Sequence, residues 1–276
     1  MLYVTDEDRL PRYAQLADDL RRQIDSGQLA PGAPVPSESE LAATYGMSRT
    51  SVRNALEALR QLGLVRTTKG SGTHVREQRQ QLIRRVPDRY QWEKDRVHLP
   101  EYERRSAGSA EQDTGLPTDR FEFRAQYDDT PATDDLAHVF GISPGTTLLH
   151  RTYRTRDRQA GGFPIGVGAS YLVRDMVQSN PDLLDPTKEP WPGGTQHQLF
   201  TIGIELDRII DELVTRPPTR GEADALGIDA KGTSVFVLRK ISIDTADRVV
   251  EVNDSVLPGD STKLVYVAKL RRWSAE

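Results

Sequence analysis

The sequence predicts an α+β chain of two domains: a small helical domain closed by a β-hairpin, then a larger antiparallel-sheet domain. Three observations predict it. Helical periodicity runs from about Leu10 and ends at Leu62-Gly63. A strongly charged stretch with few aliphatics follows, over residues 77–105. From about Ser106 onward short strand patterns dominate, and a helix-turn-hairpin pattern occurs twice. A length of 276 residues accommodates both domains and the linker.

The first helix is predicted over Pro11–Ser26, where Tyr13, Leu16, Leu20 and Ile24 recur at spacings of three and four. Gly27 ends it, and Pro31-Gly32, Pro34 and Pro36 make a turn-rich connection. A second helix starts at Ser37: Ser37 and Glu40 have the S-x-x-E spacing of a capping box, in which each side chain takes up a free backbone N–H of the first turn. It runs to Tyr45-Gly46. Ser48 is a good N-cap for a third helix, which gathers Val52, Ala55, Leu56 and Leu59 on one face and Arg49 and Arg53 on another. Leu64–Thr67 and Thr73–Arg76 then read as two short strands around a glycine-containing turn, Lys69-Gly70-Ser71-Gly72.

Residues 77–105 read as a charged linker, partly helical, with Tyr90 and Trp92 packing onto something. Candidate strands beyond it are Phe121–Tyr127, Thr147–Arg154, Ile165–Leu172, Ile204–Leu213, Ser234–Ile243, Val249–Leu257 and Lys263–Lys269. Ala137–Tyr153 is similar to Ala223–Ile241: a short helix, Gly-Ile, a turn ending in Gly-Thr, then an apolar strand. Two such units suggest a pseudo-symmetric sheet domain. The domains are therefore 1–76, 77–105 and 106–276.

Composition narrows the function. There is no cysteine, which removes disulfides, Cys-ligated zinc and thiol nucleophiles. No apolar run approaches the ~18 residues of a membrane span, and the acidic N-terminus is no signal peptide, so no membrane partner and a cytoplasmic location are expected. The five histidines are dispersed, so neither a metal nor another cofactor is expected. A net charge of −4 does not oppose nucleic-acid binding, which needs only a local basic face.

Two helices joined by a tight turn, with polar and basic residues at the start of the second, suit readout of the DNA major groove. Arg49 and Arg53 have the reach for guanine O6/N7 or phosphate, and Thr50 and Ser51 for backbone oxygens. Taken singly, the arginines read equally well as a solvated face and the KGSG hairpin as a plain turn. The order of parts is what favours double-stranded DNA as the partner.

Residues 10–75 closely resemble the N-terminal domain of the GntR family of bacterial regulators. The matching signposts include Pro36-Ser37-Glu38, Glu40-Leu41, Ser48-Arg49-Thr50, Val52-Arg53, Gly63-Leu64 and Gly70-x-Gly72-Thr73. The resemblance implies a winged helix-turn-helix in which Ser48, Arg49, Thr50, Ser51 and Arg53 meet DNA from the recognition helix, and Lys69, Gly70 and Ser71 from the wing. Relatives often carry Arg or Lys where this chain has Ser39, which puts one DNA contact in doubt. From about Thr114 the chain resembles the UTRA domain of the HutC branch, whose fold is similar to chorismate lyase. That match rests on Gly115-Leu116-Pro117, the Gly-Ile…Gly-Thr…Arg151 strand, Ser170-Tyr171-Leu172 and Val250-Glu251…Asp254-Ser255…Gly259-Asp260.

The second resemblance implies a small-molecule effector held over the sheet between the two repeat units. Arg151 would grip its anionic group, Ser170 assist, and Glu251 face its polar groups; Tyr153, Tyr171 and Leu257 complete the set. An arginine fork suits a carboxylate, one candidate for the anionic group. Tyr153 stands where a second Arg is expected and Leu257 where a Tyr is expected, which weakens a phosphosugar and points to a less anionic, more apolar effector. Surface placement of Arg151, and a core role for Tyr153, Tyr171 and Leu257, stay open as alternatives. No nucleophile–base pair or phosphate loop supports an enzyme. The expected function is a homodimeric repressor of a palindromic operator, released or modulated by the effector. The alternative is a constitutive repressor, of mobile-element transfer genes for example, whose second domain only dimerises.

Overall fold

The computed structural model describes residues 10–68, 70–76, 81–158, 164–230 and 232–268. The chain folds as two compact units. Residues 10–76 form the first, and residues 217–219 and 228–234 group with them; the rest of the described chain forms the second.

In the first unit, α1 (Arg12–Asp25), α2 (Glu38–Tyr45) and α3 (Arg49–Gln61) form where the apolar spacing places them. Ser37 closes the capping box on Glu40, and Gly46 ends α2 in the left-handed conformation at φ +59°, which glycine adopts without strain. Leu16, Leu20, Leu41, Val52, Ala55, Leu56 and Leu59 pack into one core with Val65 and Val75 of the hairpin. Truncating one of the leucines to alanine costs about 2–5 kcal/mol. The hairpin pairs β1 (Val65–Thr68) with β2 (Gly72–Val75), Val65 opposite Val75. The proline-rich connection does more than turn: Pro34 bridges to His74, and the Val35 N–H donates to Thr73 O at 2.8 Å. Three helices and this wing make a winged helix-turn-helix.

The second unit is built on a six-stranded antiparallel sheet of order β4-β5-β6-β9-β8-β7. The strands are β4 (Phe121–Pro131), β5 (Thr147–Asp157), β6 (Pro164–Val173), β7 (Leu206–Arg216), β8 (Val235–Asp244) and β9 (Val249–Pro258). The repeat seen in the sequence is larger than it looked. Each half is strand, helix, strand, strand: β4, α7 (Asp134–Phe140), β5 and β6, then β7, α10 (Arg220–Leu226), β8 and β9. The halves meet where β6 pairs with β9. Successive side chains on a strand point to opposite faces. Leu148 therefore joins the core with α7, while Leu149 joins the one on the other face, built with Val177 of α8 (Arg174–Val177) and Leu199 of α9 (Gly194–Phe200).

The segment expected to be a linker is largely structured. It carries β3 (Leu82–Arg85), α4 (Val86–Asp95), α5 (Glu101–Arg105) and then α6 (Ser109–Thr114), and it belongs to the sheet unit. β3 pairs in parallel with β10 (Thr262–Val265), Leu82 opposite Thr262. The Tyr90 hydroxyl donates to Asp211 on β7 at 2.9 Å, and Lys94 Nζ to Leu206 O at 2.6 Å. Only residues 77–80 separate this segment from the first unit, and they lie outside the described residues, as do Lys69 and Lys269.

Candidate nucleic-acid interface and effector cavity

The Ser48 hydroxyl accepts the Ser51 backbone N–H at 3.1 Å and lies 3.0 Å from the Ser51 hydroxyl, so two of the expected DNA contacts also fix the start of α3. Arg49, Thr50 and Arg53 are exposed beside them. Arg53 is not unpartnered: its Nε donates to Glu38 Oε2 at 2.8 Å, across the turn between α2 and α3. Because the bond uses Nε, both terminal nitrogens stay available for the paired acceptors of a guanine. Fifteen residues separate Arg53 from Glu38, a distance no local spacing rule covers, so reading the residues did not assign Glu38 this role. Gly70 sits at the wing tip with φ +85° and Ser71 is exposed next to it. Lys69 lies outside the described residues.

In the sheet unit a cavity of about 250 Å³ lies between the β3–α6 segment and one face of the sheet. Tyr153, Glu251 and Leu257 line it, but Arg151, Ser170 and Tyr171 do not. Tyr171 follows Ser170 directly, so it points to the opposite face, where it packs on the α7 core and stacks on His150 at 4.9 Å. Gly166 and Gly168 form part of the floor, and a Cβ at Gly166 would come within 2.8 Å of Leu257 Cδ2.

Arg151 is buried in the sheet and bonded on most sides. Its Nη1 donates to Gln198 Oε1 at 2.6 Å; its Nη2 donates to Ser170 Oγ at 2.7 Å and Glu251 Oε1 at 3.2 Å. Thr195 Oγ1 is also within 3.3 Å, and the guanidinium lies over Tyr153 at 5.7 Å. Only its Nε has no partner among the described residues. The expected anion grip is thus occupied by the protein's own carboxylate. Glu251 accepts further bonds from Ser170 at 2.8 Å and Ser242 at 3.3 Å and pairs with Lys240 at 2.8 Å. Burial alone would push its carboxyl up; Lys240 and Arg151 outweigh that and hold it down, at about 2. Gln198, Thr195 and Lys240 escaped the sequence reading because sheet register and α9, rather than spacing, bring them together.

A helix-turn-helix whose basic helix is capped and exposed, followed in the chain by a sheet domain with a cavity, defines a DNA-binding regulator. Comparison with known proteins makes this specific. Residues 12–75 match the profile of the bacterial regulatory proteins of the gntR family, and residues 124–263 match the UTRA domain. The chain belongs to the GntR family of bacterial transcriptional regulators, in its HutC/UTRA branch. An uncharacterised HTH-type regulator of Rhizobium meliloti is 27% identical over 91% of this chain and 93% of its own length. The HTH-type transcriptional repressor NagR of Bacillus subtilis is 26% identical over 93% and 94%. Identity rises to 45% with the mannosyl-D-glycerate system repressor MngR of Escherichia coli, over 25% of this chain and 29% of that one. A solved structure of a GntR-family regulator superposes with a TM-score of 0.64 at 25% identity, covering 96% of this chain and all of the other. These relatives are regulators, in keeping with a non-catalytic role. Among the described residues no helix is long and apolar enough to cross a membrane, and no acidic or histidine cluster could hold a metal.

Proposed function

We propose that the protein is a cytoplasmic, homodimeric repressor that binds a palindromic operator through α3 and the wing and is modulated by a small molecule in the sheet cavity. The observation that carries the DNA reading is α3 itself: it starts on a serine cap and presents Arg49 and Arg53 to solvent within a unit that matches the GntR profile. Repression is supported by relatives that are repressors by name. A single helix-turn-helix reads few base pairs, so two copies related by a two-fold axis supply the remaining affinity. The sheet offers an edge for that pairing. β7 is a terminal strand of 11 residues, with Ile210 45% and Val214 58% exposed, and the unpaired edge of a long strand is a template for another chain.

Selecting bound fragments from the organism's genome, then titrating the recovered site with and without candidate ligands, tests this reading. The expected result is a palindromic site whose affinity a ligand changes; failure to enrich any sequence would overturn it. A constitutive repressor is a second reading, favoured by one observation: Arg151, the residue expected to grip an effector, is already paired with Glu251. In that case the recovered site binds equally well whatever ligand is present.

A further inference from the structure

The charged groups on the cavity wall are unequally satisfied. Four carboxylates line it, and each has donors. Glu251 has Arg151, Lys240 and two serines. Glu189 accepts from Tyr127 at 2.5 Å, Gln198 at 3.1 Å and the Trp191 N–H at 2.6 Å. Glu93 accepts from Arg89 at 2.9 Å, and Asp113 from Arg84 at 3.0 Å and Arg89 at 2.7 Å. The cations differ. Arg89 uses two nitrogens on two carboxylates, and although burial pulls its pKa down, Asp113 and Glu93 carry it above the ordinary value. Arg84 shares a single oxygen of Asp113 through Nε, and no described residue bonds its two terminal nitrogens. Its side chain is only 13% exposed, and its pKa is lowered, by burial first and the neighbouring Arg89 charge second. Lys240, on the same wall, pairs among the described residues with Glu251. This nearly buried guanidinium shares its one counter-charge, Asp113, with Arg89, and its fork is open to a further acceptor.

We propose that the cavity takes a compact organic monocarboxylate, received by the open fork of Arg84 with Lys240 beside it, rather than by Arg151. This rests on the reading of the sheet unit as an effector domain. A cavity of about 250 Å³ has room for a small organic acid. Three cations and four carboxylates share the wall, so an added anion meets a net negative surface, and the cost is smaller for one charge than for the two of a phosphate dianion. Phe123, Ile165 and Leu257 give the body of the acid apolar surface, and Gly168 leaves it room. Arg84 lies on β3, a few residues from the DNA-binding unit along the chain. An acid that draws Arg84 from Asp113 therefore acts on the strand nearest that unit in sequence.

The test is thermal unfolding of the full chain with benzoate and butyrate, and with glucose 6-phosphate and inorganic phosphate as controls. Expected is a concentration-dependent rise in Tm with the acids, an affinity about tenfold or more weaker in Arg84→Gln, and partial recovery in Arg84→Lys. Gly168→Val is an independent check, since a Cβ there meets only Ser255 Oγ at 3.6 Å and Asp254 O at 3.7 Å. The Cβ fits, and the valine methyls beyond it take up floor space, so the acid response should vanish. Acid affinity unchanged in Arg84→Gln or in Gly168→Val, tighter binding of either phosphate, or no response of the native chain to either acid overturns the proposal. A parallel titration on the selected operator separates the two readings. Acids that bind through Arg84 without moving operator affinity sink ligand modulation and leave this site standing. A phosphate that moves operator affinity while the acids do nothing has the reverse effect.

Discussion

Arg53 on α3 and Arg151 on β5 are each held by a glutamate, at 2.8 Å and 3.2 Å, yet the two pairs sit in opposite surroundings. The Arg53 side chain is 64% exposed and Glu38 37%, whereas Arg151 and Glu251 are each 1% exposed. In water a pair of this kind contributes about 0–1 kcal/mol, so DNA can take Arg53 over at little cost. Inside the sheet Glu251 cannot leave alone, because Arg151 would lose its paired carboxylate in a low-dielectric interior. Two arginines with similar partners are thus differently placed: one can be given up at little cost, the other is part of the framework.

The largest expected effect breaks the framework half of this comparison. Arg151→Ala takes from buried Glu251 one of its two cationic partners, leaving Lys240, removes the donors to Gln198 and Ser170, and should cost about 3–5 kcal/mol. At about 2–4 °C per kcal/mol for a domain of this size, Tm falls by roughly 6–20 °C. Replacing the whole charged group, as Arg151→Met with Glu251→Leu and Lys240→Met, should recover most of that loss, measured as a mutant cycle. Additive losses would mean that the pair is no unit. The pH dependence sharpens the point. Glu251 is held at about 2 in the folded chain against an ordinary 4.5, a depressed value. Its stabilisation is therefore complete above about 4.5 and lost as pH falls through the interval down to about 2. Acid titration of Glu251→Gln should show a shallower loss of stability across that window than the native chain. An identical acid limb in both proteins would contradict the assignment.

Next in size is the ligand-facing half. Arg53→Ala removes a contact worth about 1–3 kcal/mol if the fork reads a guanine, so operator affinity should fall roughly 5- to 150-fold with Tm almost unchanged. Fluorescence anisotropy on the selected operator measures the first quantity and calorimetry the second. A large drop in Tm with little change in affinity would reverse the roles assigned to the two arginines.

How far the sequence carried each site follows from how local its determinants are. α3 was legible because its cap, apolar face and basic face all fall between Ser48 and Leu59. The cavity was legible only in part. Alternation along β5 and β9 correctly sets Tyr153, Glu251 and Leu257 on one face, yet the same rule excludes Tyr171 once Ser170 is placed. Arg151 looked available because Gln198, on α9, is 47 residues away in the chain and reaches it only through the fold. Residues 82–105 looked like linker because their apolar anchors are sparse and long-range: Leu82 in the β3–β10 ladder, Tyr90 on Asp211. Charge-rich sequence reads as solvated when its counter-ions come from elsewhere in the chain.

The smallest expected effect concerns Glu38. Glu38→Gln keeps an oxygen for Arg53 Nε while removing a negative charge from a surface meant to face phosphates. An exposed pair of this kind carries under about 1 kcal/mol, so operator affinity should change by less than about fivefold. Binding to unrelated DNA should rise slightly, because one repulsion toward the backbone is gone. Measuring both across a salt series separates the contributions: a phosphate effect shrinks with salt, whereas a change in how Arg53 presents its fork persists. A loss as deep as that of Arg53→Ala, independent of salt, would show that Glu38 holds Arg53 as firmly as Glu251 holds Arg151. The contrast between the two pairs would then lie in exposure alone and not in function.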